Sequence, residues 1–213
     1  PRKVGEYSVD KGVINMKDLT KGSPVKIILL FALPIICGNI FQQLYNIADS
    51  KIVSTYVSTN AFAAVGATSV VSNTIIGFIN GLTQGFAIPI ANSFGARDEK
   101  RMRRFVSGTI ILSMSVAVIL TIASLMFIEP ILVVLKTPED ILPQALSYVR
   151  IILAGIIFTA LYNMCANVLR AVGDSKTPLY CLVTSVIFNI GLDLLFVRTF
   201  NMKIEGAAYA TVI

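Results

Sequence analysis

The sequence contains no histidine and only three cysteines, and just 14% of its 213 residues are charged. Without histidine, a histidine proton relay is excluded and the commonest zinc ligand is missing. The cysteines, at positions 37, 165 and 181, form no Cys-x-x-Cys pair and lie in apolar segments, so we expect buried apolar side chains. No Gly-Lys-Ser or Gly-Lys-Thr loop and no nucleophile triad is present, which argues against ATP hydrolysis and against an enzyme.

Apolar residues are abundant where charged residues are few. Hydrophobic residues make up 55% of the chain, and the mean hydropathy is +0.76. A soluble domain carries about 25% charged residues, so this surface must face lipid. The apolar runs are continuous and do not alternate with polar residues, which indicates membrane-spanning helices of roughly 20 residues each. The fold class predicted is an all-α polytopic membrane bundle.

The breaks between apolar runs predict the helix boundaries. Residues 1–23 are polar, with no apolar stretch before Val25, which argues against a cleavable signal peptide and predicts a cytoplasmic segment. Residues 24–213 are predicted to form a transmembrane lobe of five complete helices and the start of a sixth. The predicted helices are 24–56, 61–94, 105–128, 140–171, 177–197 and 205–213, the last of them cut short.

The basic residues predict the orientation. With five spans, one side of the membrane receives most of the 18 Lys and Arg residues: Arg2, Lys3, Lys11, Lys17, Lys21, Lys26, Arg97, Lys100, Arg101, Arg103, Arg104, Arg170 and Lys176. The positive-inside rule makes that side the cytoplasm, in a cell (inner or plasma) membrane. Because these charges sit between apolar runs, membrane topology explains the net charge of +6 better than nucleic-acid binding does.

A line of glycines marks the second helix. Gly77, Gly81 and Gly85 recur every four residues and therefore share one helical face. Small residues at this spacing allow helices to approach closely, so we expect this face to be packed against a neighbour.

Two acids lie within apolar segments. Asp49 and Asp193 both fall in the outer half of the membrane, about 34 Å and 24 Å along their helices. Intramembrane acids are functional candidates, although solvation at the outer interface is the alternative. Asn189 lies one turn before Asp193 on the same face, an arrangement that suits a small hard cation or a shared proton. The alternative for Asn189 is an interhelical hydrogen bond that fixes packing.

Polar side chains are also dense on the first and fourth predicted helices. They are Asn39, Gln42, Gln43, Tyr45, Asn46, Tyr162, Asn163 and Asn167. Against lipid they would be costly, so they must face neighbouring helices or a wet cavity. A cavity lined by Gln42, Tyr45, Tyr162 and Asn163 would hold bulky amphipathic organic molecules, whereas interhelical hydrogen bonding alone would account for about half of these residues.

Several motifs together resemble those of one transporter family. They are Leu-Thr-Lys-Gly-Ser-Pro at 19–24, Phe-Ala-Leu-Pro at 31–34, Gln-Gln-Leu-Tyr-Asn-Ile-Ala-Asp at 42–49, Ala-Ala-Val-Gly at 63–66, Phe-Gly-Ala-Arg at 94–97, Leu-Arg-Ala-Val-Gly-Asp-Ser-Lys-Thr-Pro at 169–178, Asn-Ile-Gly-Leu-Asp at 189–193 and Gly-Ala-Ala-Tyr-Ala-Thr at 206–211. In this order they resemble the first half of the multidrug and toxic compound extrusion (MATE) transporters.

The resemblance implies a cation-coupled antiporter that exports drugs and has twelve helices in two related halves. It implies that Asp49, Asn189 and Asp193, with Thr211 in some members, bind the coupling Na⁺ or H⁺, and that Pro34 bends the first helix. No other cofactor is implied. The partners implied are membrane lipid, amphipathic substrates and a C-terminal lobe of the same protein. Lys51 departs from the family pattern, because its charge near Asp49 would weaken cation binding.

Two other functions stay open on the sequence. A flippase for lipid-linked precursors would need a cavity rich in Arg or Lys, yet only Arg150 and Arg170 lie in or near helices. An isolated half without transport activity, acting in assembly, is the other alternative, since two halves normally enclose a central site.

Overall fold

The computed structural model describes residues 23–213, and these residues form helices and no strand. The helices are α1 (Pro24–Tyr56), α2 (Thr59–Gly95), α3 (Glu99–Val134), α4 (Leu142–Ala154), α5 (Ile156–Ala171), α6 (Lys176–Asp193), a π-helical turn (Leu194–Thr199) and α7 (Lys203–Val212). The all-α fold class is confirmed. The predicted cytoplasmic segment at 1–23 falls, apart from Ser23, outside the described residues.

Five membrane spans fit the helices of residues 23–213. Four stretches are each long and apolar enough to cross a bilayer: α1, α2, α3, and α6 continued through the π-helical turn. The pair α4 and α5, which meet at a bend of 41°, satisfies the same length and composition criteria when the two helices are taken together as a fifth span. The remaining helix, α7, has 10 residues and is too short to cross by itself. The prediction of a polytopic membrane bundle is therefore confirmed.

The third helix begins earlier and ends later than the predicted 105–128. It starts at Glu99, because the Asp98 side chain accepts a hydrogen bond from the Arg101 backbone N–H at 3.0 Å and caps the first turn. The charged residues from Glu99 to Arg104 are therefore helical. The prediction left them out because they precede the apolar run that begins at Phe105. At the other end the helix continues through Pro130 to Val134.

The predicted single helix at 140–171 is wrong, because two helices meet at Gly155. At this break α7 approaches closely: a Cβ at Gly155 would lie 2.5 Å from Cγ2 of Val212. Only glycine leaves room for the Val212 side chain at this point. The predicted helix at 177–197 also changes character, since α6 ends at Asp193 and a π-helical turn follows it.

Seams of small and hydroxyl residues hold α2, α3 and α5 together. On α3, Thr109, Ser113, Ala117, Thr121 and Ser124 are buried at intervals of three or four residues. On α2 the buried positions include Ala61, Ala64, Thr68, Ser72 and Thr83. Two of these hydroxyls donate to a carbonyl of their own helix, Thr68 to Ala64 and Thr83 to Ile79. Ser72, Ser113 and Thr121 are buried without a hydrogen-bond partner among residues 23–213.

Two packing predictions are wrong for the described residues. The glycine face of α2 packs against nothing in residues 23–213, because a Cβ at Gly77, Gly81 or Gly85 would meet no atom within 4 Å. The Thr, Ser and Ala seams supply the close packing between α2 and α3. The cysteines are not uniformly buried either, since Cys165 and Cys181 are exposed.

Candidate functional site

The two intramembrane acids meet between α1 and α6. These helices pack along one another, and Gly38 permits the approach, since a Cβ there would already lie 3.4 Å from Cδ2 of Leu182. Asp49 lies in the second half of α1, and Asp193 is the last residue of α6. Their carboxyl groups lie close enough to interact with each other electrostatically. Asp193 is fully buried and Asp49 is 7% exposed, which favours the functional interpretation over solvation at the interface.

A hydroxyl pair from α1 and α7 lies beside the acids. The Tyr45 hydroxyl is 3.1 Å from Oγ1 of Thr211. The Thr211 hydroxyl donates to the carbonyl of Ala207 at 2.9 Å, so it has no further proton to donate to Tyr45. The Tyr45 O–H is therefore the donor in the pair, and it ties α1 to α7 one turn before Asp49.

Asn189 connects α6 to α7 next to the same acids. Its Nδ2 donates to the carbonyl of Ala210 at 2.8 Å. This is the interhelical hydrogen bond that one interpretation of Asn189 predicted, but it uses only one end of the amide. Oδ1 of Asn189 is buried and has no hydrogen-bond partner among residues 23–213, so it stays available to a ligand.

Four buried oxygens in this cluster lack a donor from the described part of the chain. They are Oδ1 of Asp49, Oδ1 of Asn189 and both carboxylate oxygens of Asp193. Leaving such groups unpaired is costly, and an ionised acid deep in a membrane helix costs about 2.5–3.5 kcal/mol even on insertion scales. Carboxylate, amide and hydroxyl oxygens are what a hard cation takes, and a proton would equally satisfy one carboxylate. Either ion can fill this arrangement chemically.

Tyr148 of α4 is a member of this cluster that the sequence did not single out. Its side chain is 8% exposed and lies within electrostatic range of Asp49, Asp193 and Tyr45. It sits in a buried run of α4 that packs against α7, and only that packing brings it near the acids. No pattern in the sequence points to it, because nothing local shows that this part of α4 packs near the acids.

The remaining predicted residues are not brought to the acids. Pro34 lies within α1 about four turns before Asp49, and α1 stays one continuous helix through it. Gln42 is exposed, and Asn163 is half-buried on α5. Tyr162 donates to the carbonyl of Pro178 at 3.3 Å and so links α5 to α6. The substrate cavity predicted from these side chains stays a prediction.

Another polar residue of the fourth predicted helix has a packing role. Asn167 is buried, and its Nδ2 donates to Oγ1 of Thr83 on α2 at 3.1 Å, while its Oδ1 accepts from Arg170. Lys51, the departure from the family pattern, is exposed and forms no ion pair with either acid within residues 23–213.

A protein-family model described as MatE matches residues 34–195. The chain belongs to this family. The match includes Asp49, Asn189 and Asp193, whereas Thr211 lies beyond its end.

Named relatives agree with the family assignment. The chain is 34% identical to a probable multidrug resistance protein, YpnP of Bacillus subtilis, over 92% of this chain and 44% of that protein. It is 27% identical to a probable multidrug resistance protein, NorM of Thermotoga maritima, over 88% of this chain and 41% of that one. The chain therefore spans less than half the length of these relatives.

Comparison with solved structures agrees with the family assignment. An outward-facing multidrug resistance MATE family transporter of the MOP superfamily superposes with a TM-score of 0.87 at 31% identity, over 95% of this chain and 45% of that one. A crystal structure of MATE in complex with MaD3S gives a TM-score of 0.86 at 31% identity, over 94% and 45%. The matched part corresponds to an N-terminal half of these transporters.

Proposed function

We propose that this chain is the N-terminal lobe of a cation-coupled antiporter that exports amphipathic organic compounds across the plasma membrane. Asp49 and Asp193, with Asn189 and Thr211, would bind the coupling Na⁺ or H⁺. A C-terminal lobe of the same protein would complete the substrate cavity, and the N-terminus would lie in the cytoplasm.

One observation supports the coupling role above all others. Asp193 is fully buried, faces Asp49, and receives no hydrogen bond from residues 23–213. No Lys or Arg of that part of the chain forms an ion pair with either acid. Two neighbouring carboxylates that are both ionised repel each other strongly at low dielectric constant. A proton or Na⁺ must therefore supply positive charge whenever the two acids stay together.

This requirement suggests how ion binding would move a helix. Asp49 belongs to α1 and Asp193 to α6, so an ion shared by the pair holds the two helices together. When the ion leaves, repulsion between the carboxylates favours a different position of α1, and Pro34, which cannot donate a hydrogen bond to the Leu30 carbonyl, is where α1 bends most easily. Coupling follows if the two positions of α1 differ in their affinity for the exported compound.

The other face of α1 supports a two-lobe protein. Gln42, Gln43 and Asn46 are exposed on a helix that carries no charge between Ile27 and Ala48. Lipid contact would leave these amides poorly satisfied. A second lobe, with a wet cavity between the two, would cover them and provide polar contacts for a substrate. The fold supplies no cluster of basic residues along this face, so a flippase for phosphate-bearing lipids is not favoured.

The test is drug efflux by the full-length protein in proteoliposomes, driven separately by a proton gradient and by a Na⁺ gradient. Asp193→Asn should reduce efflux at least tenfold with whichever ion drives the wild type. Glu129→Gln is the matched control, because Glu129 is an exposed acid paired with Arg150. If Asp193→Asn transports like the wild type under both gradients, the coupling role is wrong.

A further inference from the structure

A group of exposed cations lies at the turn between α2 and α3 and takes no part in the proposed coupling. We call it the basic patch: Arg97, Lys100, Arg101, Arg103 and Arg104, all of them exposed. Two acids, Asp98 and Glu99, lie within it and offset part of its charge. Asp98 is already engaged as the N-terminal cap of α3, and its Oδ1 accepts from the Arg101 backbone N–H. The patch keeps a net positive charge of +3, from five cations and two acids.

Two hollows meet at this patch. The larger, about 830 Å³, is lined by Asp98, Lys100, Arg101, Arg103, Arg104 and Phe105. The smaller, about 330 Å³, runs beside it and is lined by Pro89, Asn92, Ser93, Ala96, Asp98, Arg101 and Phe105. Asp98, Arg101 and Phe105 border both. The guanidinium of Arg101 lies 5.5 Å from the centroid of the Phe105 ring. A cationic recess thus adjoins a smaller one with a mixed polar and apolar lining.

The position of the patch along α3 places it at the level of lipid headgroups. The apolar run of α3 begins at Phe105, and the helix continues toward its N-terminus to Glu99. Six residues of helix rise about 9 Å. The polar layer on each side of a 30 Å hydrocarbon core is about 5–8 Å deep. The four cations from Lys100 to Arg104 therefore lie within that layer, and Phe105 lies at its inner boundary.

We propose that the basic patch binds the headgroup of an anionic phospholipid. The phosphate lies in the cationic recess beside Lys100, Arg103 and Arg104, while the start of an acyl chain passes Phe105 into the membrane. Groups of four to eight basic residues beside a spanning helix attract anionic lipids, and guanidinium groups bind phosphate oxygens in a bidentate manner. Because this binding needs neither acid of the cation site, it is independent of the proposed transport function.

The test measures lipid binding to the full-length protein in detergent by native mass spectrometry. Phosphatidylglycerol and phosphatidylcholine are titrated in parallel against the wild type and the double variant Arg103→Gln/Arg104→Gln. We expect the wild type to prefer phosphatidylglycerol, and the double variant to bind it about 10- to 30-fold more weakly, since each surface cation contributes several-fold. Phosphatidylcholine binding should be unchanged.

Two controls make the result specific. Arg103→Lys/Arg104→Lys keeps the charge and should retain most of the preference, whereas Lys51→Gln/Lys136→Gln removes two exposed cations elsewhere and should have no effect. Thermal unfolding confirms that each variant is folded. Equal binding of the two lipids by the wild type, equal phosphatidylglycerol binding by wild type and Gln variant, or full displacement by millimolar inorganic phosphate would each overturn the proposal.

Discussion

At the scale of single residues, Asp174 organises the turn between α5 and α6. Its Oδ1 accepts from the backbone N–H groups of Lys176 and Thr177 at 3.0 Å each, and its Oδ2 accepts from the Thr177 hydroxyl at 2.6 Å. Burial of Asp174 by itself would raise its pKa, but these hydrogen bonds and the charge of Lys176 outweigh burial, and the pKa lies below its usual value. The ionised carboxylate is therefore the form that the fold stabilises.

Replacing Asp174 should destabilise the protein at neutral pH. Asp174→Ala removes the acceptor for two orphan backbone N–H groups and should lower the free energy of unfolding by about 1 kcal/mol. Asp174→Asn keeps one acceptor oxygen and should cost less. Thermal unfolding of the purified protein at pH 7 measures both, and equal stability of all three proteins would contradict the capping role.

The pH dependence of the same variants has a definite sign. Because the folded-state pKa of Asp174 is lowered, its contribution is fully present above the ordinary aspartate value of 3.8 and is lost as the pH falls through the folded-state value. The stability difference between wild type and Asp174→Asn should therefore stay constant from pH 5 to pH 7 and shrink only below about pH 3.9. A difference that already disappears at pH 6 would point to another group.

The four unpaired oxygens around Asp193 predict stabilisation by the coupling ion. An ion that binds only the folded state at 100 times its dissociation constant adds about 2.7 kcal/mol of stability. If Na⁺ is that ion, NaCl should raise the unfolding temperature more than choline chloride does at equal ionic strength. The increment should vanish in Asp193→Asn and persist in Glu129→Gln. A Na⁺ effect of equal size in Asp193→Asn would place the Na⁺ elsewhere.

At the scale of elements, Gly155 and Val212 make a close contact at the bend of the α4–α5 pair. Gly155→Ala places a methyl group 2.5 Å from Cγ2 of Val212 and 3.2 Å from the Ile152 carbonyl oxygen. Overpacking of this kind typically costs about 1–3 kcal/mol, which exceeds the roughly 1 kcal/mol that alanine gains over glycine within a helix.

A double-mutant cycle isolates that contact. Gly155→Ala should lower the unfolding temperature in the wild-type background and have little effect in Val212→Ala, which removes both clashing methyl groups. Gly77→Ala is the matched control, because a Cβ at Gly77 meets no atom within 4 Å and alanine there should be neutral or stabilising. Additive effects of Gly155→Ala and Val212→Ala would mean that the two residues do not constrain each other.

The elements also show where sequence patterns stop being informative. Apolar runs predicted where the spans lie, because lipid contact is imposed on each helix separately. The charged first turn of α3 was missed, since helix capping by Asp98 does not depend on hydrophobicity. The break at Gly155 was missed because nothing near it in the sequence shows that Val212, 57 residues later, packs against it. The glycine face of α2 was wrongly expected to pack because periodicity identifies a face but not its neighbour.

At the scale of the whole molecule, the orientation proposed from the basic residues can be tested directly. In a background with Cys37, Cys165 and Cys181 replaced by serine, Arg103→Cys and Lys136→Cys place single thiols at opposite ends of α3. A membrane-impermeant maleimide added to intact cells should label Lys136→Cys and leave Arg103→Cys unlabelled until the cells are permeabilised. The opposite labelling pattern would reverse the proposed topology.

The candidate site was partly accessible from the sequence. Asp49 and Asp193 stand out because isolated acids in apolar runs are costly, Asn189 was singled out by its place one turn before Asp193, and the family resemblance added Thr211. That these four lie together follows from α1, α6 and α7 packing side by side, a tertiary fact that no local pattern contains. Tyr148 escaped notice because tyrosine is common at membrane interfaces, and only packing of α4 against α7 brings it near the acids.

The contact between Gly155 and Val212 also bears on the order in which this lobe folds during synthesis. During synthesis, α4 and α5 are complete 41 residues before Val212 is made, and at about 5–20 residues per second the interval is about 2–8 s. Throughout that interval the contact between Val212 and Gly155 is absent. Packing of α7 against the α4–α5 pair is therefore among the last contacts of this lobe to form, and the room left by Gly155 is filled only then.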